Sequence, residues 1–340
     1  MKRFVPFFLL ILSFLLPVAA YAQKTDTVIF YNGDRAVCEI KNLSQGKLTL
    51  STVAMGTISV EWRKVAYLSS DKNFEIVLKD HSTIYGHIVH VDSARNVTLT
   101  FGIFTETVPI DNIVSLFPIK KSFWARLDGD FSMGFSYTQG TENLQLNSSG
   151  NVHYRKKKAI HSLSFNINAS ANPNTQSQKQ DGGYRLEYYH RHRIYNSFEA
   201  RWERNTELGL NSRLITMLGV GYSPIHNSYS VLSMELGASA NREFTVADSV
   251  TNNVEAVVRL SYNLYIFSSP KIFINIKSAT YPSLTVQNRL RSNFDGSIKW
   301  EIFNDFTFNI TYWGNYDSHP IDENALNYDW GLTTGIGYTF

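Results

Sequence analysis

From Phe123 to the last residue the sequence alternates with a period of two, and that alternation leaves few folds open. In WARLDGDFSMGFSY, Ala125, Leu127, Gly129, Phe131, Met133, Phe135 and Tyr137 take the odd positions. Arg126, Asp128, Asp130, Ser132, Gly134 and Ser136 take the even ones. Leu163, Phe165, Ile167 and Ala169 oppose Ser162, Ser164, Asn166 and Asn168 in the same way. Val254, Ala256, Val258, Leu260 and Tyr262 oppose Glu255, Arg259, Ser261 and Asn263. Leu290, Phe294, Ile298 and Trp300 oppose Arg289, Arg291, Asp295, Lys299 and Glu301. Successive side chains of a strand point to opposite faces, so each segment reads as a strand with one apolar and one polar face. The closing GLTTGIGYTF sets Leu332, Thr334, Ile336, Tyr338 and Phe340 against glycines and threonines.

Twelve such segments begin near Phe123, Asn143, Ala159, Gly182, Tyr195, Arg213, Tyr229, Asn252, Lys271, Gln287, Asp305 and Leu326. A strand that crosses a bilayer needs about 9–11 residues, so residues 123–340 can supply every span and its loops. An even number suits a single-chain bacterial barrel. Connections at Arg155–Lys158, His192–Asn196, Ser223–Asn227, Ser268–Pro270 and Phe303–Asp305 are short. Most of those between them are longer, starting at Asn172, Thr206, Phe244, Thr280 and Asn315, with QGTE at Gln139 the exception. Short periplasmic turns alternating with longer outer loops are an outer-membrane pattern.

Aromatic residues make up 14% of the chain, a content suited to strands and interface belts. Phe123, Tyr154, Tyr195, Tyr222, Tyr229, Trp300 and Phe340 fall toward the periplasmic rim. Tyr137, Tyr188, Trp202, Tyr281, Tyr312, Tyr316, Tyr328 and Trp330 fall toward the other. Tyr154, Tyr195, Trp202, Trp300, Trp330 and Phe340 are the expected interface anchors. A soluble sandwich also buries an alternating row, but it has no use for aromatics at both ends of that row. The expected fold is therefore all-β: a twelve-stranded antiparallel transmembrane β-barrel preceded by a small tandem-repeat β domain.

The start of the chain differs. Lys2 and Arg3 precede the apolar run VPFFLLILSFLLPVAA, and Ala20-Tyr21-Ala22 offers a cleavage site, so residues 1–22 read as a secretory signal peptide. Residues 24–120 then contain a repeat at an offset of 48, with a one-residue slip in its middle. VIFYNGDRAVCEIKN at Val28 matches IVLKDHSTIYGHIVH at Ile76, and VEWRKVAYL at Val60 matches VPIDNIVSL at Val108. Short, closely spaced strands suggest two five-stranded mini-barrels resembling SH3 or Sm folds, or one sheet made from both units. His81, His87 and His90 tempt as a cluster, but His81 falls in a turn and the other two differ in strand parity. Cys38 is the only cysteine and reads as a small buried hydrophobe.

The polar rows of the barrel hold Arg126, Asp128, Asp130, Arg185, Glu187, Arg191, Glu199, Arg201, Glu203, Glu235, Glu255, Arg259, Arg289, Arg291, Asp295, Lys299 and Glu301. These are the expected lumen-lining residues. Their signs nearly balance, which favours cross-strand ion pairs over a strongly selective pore. His190 and His192 share parity with Tyr188 and are expected to face lipid near the periplasmic rim. No G-x-S-x-G and no nucleophile–base set stands out, no metal spacing appears, and DSHPIDEN at Asp317 misses the EF-hand pattern. No cofactor is expected. A net charge of +3 is too small to imply a nucleic-acid partner.

The run WARLDGDFSMGFSYTQG, the following strand with Leu146-Asn147 and Tyr154-Arg155, YRLEYYHRH at Tyr184 and the close GLTTGIGYTF together resemble the DUF481 family of outer-membrane proteins. Some of its members carry the name salt-induced outer-membrane protein. The resemblance covers about 123–340 and implies a barrel in the outer membrane; the family's activity is undefined, so it implies no catalytic residues. Thr141-Glu142 departs from the Asn or Asp usual after the glycine of the first outer turn. The function expected is that of a structural or envelope-associated barrel with slow passage of small solutes, not an enzyme. An outer-membrane hydrolase of lipid or peptide bonds is the first alternative, and a periplasmic scaffold recruiting a partner through the front repeats is the second. The partners expected are outer-membrane lipid, the outer-membrane assembly machinery, and a periplasmic protein or glycan.

Overall fold

A computed structural model describes residues 24–338, apart from 81, 93, 102–103, 120–122, 124–125, 157, 191–192, 207–208, 246–249, 304 and 321–326. The expected signal peptide, and the readings placed on His81, Arg191, His192 and Phe340, lie outside the described residues. The chain forms two antiparallel sheets.

The first sheet contains the repeat. Its first unit is β1 (Asp26–Phe30), β2 (Arg35–Ser44), β3 (Lys47–Thr52), β4 (Thr57–Glu61) and β5 (Val65–Ser69). Its second is β6 (Asn73–Leu78), β7 (Thr83–Val91), β8 (Asn96–Phe101), β9 (Phe104–Pro109) and β10 (Ile113–Pro118). In each unit the last strand returns beside the first, and β10 also pairs with β2 through Leu116 and Leu43. The units therefore join as one ten-stranded sheet rather than closing as two mini-barrels. A 3-10 turn precedes the last strand of each unit, and Trp62 in the first donates its indole N–H to the Ile110 carbonyl in the second, 3.1 Å away. These two residues are 48 apart, so the repeat packs on itself at equivalent positions.

Ile40, Leu43, Leu50, Phe74, Ile76, Ile88 and Leu99 are fully buried between the units. Burying one such side chain stabilises the sheet by about 1.5–3 kcal/mol. A β-bulge falls between Ile40 and Asn42, and another at the matching place between Ile88 and His90. The second bulge corrects the parity argument for the histidines. It lets Ile88 and Val91 both face the core, which leaves His87 and His90 both turned away from it. The repeat's slip falls at the next turn. Gln45 and Gly46, both at positive φ, make a two-residue hairpin in the first unit, while the second needs residues 92–95. Cys38 is fully buried, and burial, aided by Asp26, pushes its thiol up to about 11.

The second sheet has twelve strands in sequence order. They are β11 (Leu127–Thr138), β12 (Asn143–Arg155), β13 (Ala159–Ala171), β14 (Gln176–Tyr189), β15 (Ile194–Asn205) and β16 (Leu210–His226). Then follow β17 (Ser230–Thr245), β18 (Val250–Ile266), β19 (Ile272–Pro282), β20 (Leu290–Phe303), β21 (Phe306–Asp317) and β22 (Tyr328–Tyr338). The strand number and nearly all the starts agree with the alternation. Among the described residues pairing stops short of closure, however: there β11 bonds only to β12, and β22 only to β21. The strands also run further than expected. NPNTQSQKQDGG is mostly strand, because the Asn172 side chain accepts the Thr175 N–H (2.7 Å) and Asn174 N–H (3.0 Å) and turns the chain at once. Several expected outer loops are consequently as short as the turns at the opposite end.

The first sheet docks on the short-turn end of the second. Lys47 lies over the rings of Phe267 and Phe273, 5.1 and 5.8 Å from their centroids. The Arg155 guanidinium sits 4.0 Å from the centroid of Phe117. Gly46 fits beneath the 227–229 turn, where a Cβ would come 2.6 Å from the Ser228 carbonyl and 2.9 Å from the Phe267 ring. Its φ of +69° strains any other residue as well. Gly46→Val is therefore expected to release the first sheet faster in limited proteolysis, whereas Gly33→Ala, at φ +88° with nothing within 4 Å of its Cβ, carries the backbone strain without the clash and raises that rate less.

Candidate functional site: the charged inner face

The twelve-stranded sheet curls so that side chains of non-neighbouring strands meet on one face. Strand parity places Arg185 and Glu187 (β14), Glu199, Arg201 and Glu203 (β15), Glu235 (β17), Glu255 and Arg259 (β18) and Arg291 (β20) on it, with Arg289 just before β20. Arg185 reaches Glu187 at 2.9 Å, Glu199 at 3.0 Å, and Glu235 three strands away. Arg259 clamps Glu199 with two bonds of 2.6 and 3.2 Å, and Glu235 also accepts from Tyr195 (3.2 Å) and Ser197 (3.0 Å). A second cluster lies nearer the far end. Arg291 grips Glu255 at 2.8 and 2.6 Å under the Tyr281 ring, and Arg289 bridges Glu243 (3.2 Å) and Asp317 (2.7 Å). Arg213 joins Glu203 (3.2 Å) to Glu243 (2.8 Å), and Arg201 joins Glu203 (3.2 Å) to Asp181 (3.5 Å).

Six arginines thus meet eight carboxylates on one face. Glu235, Glu243 and Glu255 are buried, so each would be costly without its partners; two-point arginine contacts meet that cost. Asn241 differs. It is 4% exposed, and neither side-chain polar atom has a partner.

Ten of the expected lumen residues come together in this lattice. The others do not. Glu301 pairs with Lys271 at 2.7 Å near the short turns. Asp128, Asp130, Asp295 and Lys299 are exposed and stand outside the lattice, and Arg126 lines a cleft at the docked end. Asp181, Arg213, Glu243 and Asp317 were not anticipated. Asp181 and Asp317 lie in segments that read as loops, and Arg213 and Glu243 at strand ends next to loops, where strand parity assigns no face.

Of the expected anchors, Tyr154, Trp202, Trp300 and Trp330 lie on the outer face. Tyr195 corrects the reading, being buried on the inner face against Glu235. Tyr281 faces inward too, and Tyr188 lies at the short-turn end, opposite Asn196, not at the far rim. His190 is exposed beside Tyr188, 5.1 Å between ring centroids.

Two serine–histidine contacts occur among the described residues: His153 Nδ1 to Ser162 Oγ at 2.9 Å, and His319 Nδ1 to Ser318 Oγ at 2.9 Å. Asp128 stands opposite His153 in the pairing but makes no hydrogen bond to it, so no third group orients the base as acyl transfer requires. Among the described residues no group of three or more His, Cys, Asp or Glu is placed to hold a metal ion. No helix among them is long and apolar enough to cross a membrane, which bears on helical spans alone.

Residues 131–340, from the first strand of this sheet to the last residue, match the family described as Protein of unknown function, DUF481. The chain belongs to the DUF481 family. The match covers the whole charged lattice and leaves out the first sheet. No curated protein matches the sequence. The DUF481 portion is thus the twelve-stranded sheet itself, with the paired repeat added in front of it.

Proposed function

We propose that this DUF481 protein is an outer-membrane β-barrel with a largely plugged lumen, serving as an envelope-structural element that lets small solutes through slowly. The observation that carries this reading is the inversion of polarity across the second sheet. Phe131, Met133, Phe135, Leu218, Leu236 and Ile336 are each 64% exposed or more on the outer face, while the charged residues pair inside. An apolar surface of that extent is a poor fit to water and a good fit to lipid. Tyr222, Trp300 and Tyr338 stand near one end of the apolar band, and Tyr137, Trp202, Tyr328 and Trp330 near the other, as interface belts require. The docked first sheet lies at the short-turn end, the periplasmic end in barrels of this kind.

The protein is expected to stay with outer membranes through a carbonate wash and to migrate faster in gel when unheated. In planar bilayers it should give no conductance steps of porin size, because the ion-pair lattice fills the β14–β20 side of the lumen. Recovery in the soluble fraction, or large unselective steps, would overturn the reading.

A further inference from the structure

The inner face of the second sheet is not uniform. On β14–β20 it is charged, and many of its side chains are buried. On β11–β13, β21 and β22 it is neutral and open. Asp128 and Asp130 stand at one end of this strip, and Asp317 and Asp329 at the other. Between them the inward positions hold serine, threonine, asparagine, glutamine and glycine, with Trp313 the one large side chain. Ser132, Asn147, Ser164, Thr311, Thr333 and Gly335 are all exposed. Ser164 and Asn147 lie away from the sheet's edges, so an open edge does not account for their exposure.

β11 and β22 each carry one unpaired edge. In hydrocarbon such edges are too costly to persist, and pairing the two strands completes the wall with small neutral residues on both sides of the join. An eight-stranded barrel is just filled by its side chains, so a twelve-stranded one has room beside the lattice. At one end the strip opens into a cleft of about 820 Å³ beneath the first sheet, lined by Asp128, His153 and Arg155 among others. At the other, Lys179 reaches from β14 to the ring of Trp313 on β21, 5.3 Å from its centroid, and narrows it.

We propose that this strip is a conduit for small uncharged polyhydroxylated solutes of monosaccharide size. The proposal rests on the barrel reading and names its path and its solute class. Hydroxyl and amide groups supply both donors and acceptors, matching a polyol's own. An ion would lose water on entry, and between the aspartates at the two ends the strip's own side chains offer it hydroxyls and amides in place of a counter-charge, while the lattice carboxylates across from it are already held by arginine.

The test uses the full chain in phospholipid vesicles, with osmotic swelling in xylitol compared with swelling in sodium gluconate. A Cβ at Gly335 meets nothing within 4 Å, and one at Gly134 only the Asn147 carbonyl at 3.9 Å, so an indole fits at either place and projects into the strip. Xylitol is expected to drive swelling well above that of protein-free vesicles, with gluconate severalfold slower. Gly335→Trp and Gly134→Trp should slow xylitol entry severalfold, and Phe131→Trp on the outer face should leave it unchanged. Equal rates for the two solutes, no xylitol entry above background, or tryptophan variants that swell like the parent would each overturn the proposal. Heat-shifted migration of the same vesicle-bound protein reports on the barrel independently, so a failed conduit is distinguishable from a failed barrel.

Discussion

Glu235→Ala is expected to destabilise the second sheet by about 3–5 kcal/mol, the range for breaking a buried ion pair from one side. Glu235 is 3% exposed and accepts from Arg185, Tyr195 and Ser197, with Arg259 3.6 Å away. Its removal leaves a guanidinium and two hydroxyls facing a void. Urea unfolding of detergent- or lipid-held protein measures the loss. Lys41→Ala is the comparison, because its 2.6 Å contact with Glu39 lies at the surface, where such pairs are worth at most about 1 kcal/mol. Equal midpoints for the two variants would mean that the lattice does not hold the sheet together. Arg185→Met with Glu235→Leu should recover part of the stability, since it removes the stranded guanidinium while taking the arginine partner from Glu187. The single variant should also raise ion conductance, because it removes a tie that spans three strands.

This lattice shows how far parity alone reaches. The position of Glu235 on a polar row is legible from MELGASANREF, and the same rule placed Arg185, Glu199 and Arg259 beside it. Which carboxylate each arginine selects is not legible. Arg185 bypasses two strands to reach Glu235, and that distance depends on how tightly the sheet curls. Loop boundaries failed for a local reason: at Asn172 one side chain caps the turn, so polar residues after it continue as strand. The histidines of the repeat failed for another, since a bulge shifts parity without any mark in composition. Tyr195 was misread because a tyrosine near a turn suits a membrane interface and a buried hydroxyl donor equally well. The neutral strip was present in the sequence as runs of serine, asparagine and glycine, but only the strand order shows that those runs are neighbours.

Tyr195 also underlies the second large effect. Its ring lies over Gly221 on the neighbouring strand, and a Cβ at Gly221 would clash with the ring's Cζ and both Cε atoms. Gly221→Ala must therefore push the ring aside and break the hydroxyl's bond to Glu235, at a cost of about 1–3 kcal/mol for the overpacking and about 1 more for the bond. The backbone cannot yield instead, because Gly221 is paired on both sides, to Tyr195 and to Glu235. Tyr195→Ser alone should cost stability by opening a cavity. Combined with Gly221→Ala it should cost less than the sum of the two, since the added methyl then occupies space the ring has left. Strict additivity in the urea midpoints would show that the ring and the glycine do not share that space. A favourable coupling would place Tyr195 inward in the membrane-held protein, on the wall of the lumen and away from the lipid interface.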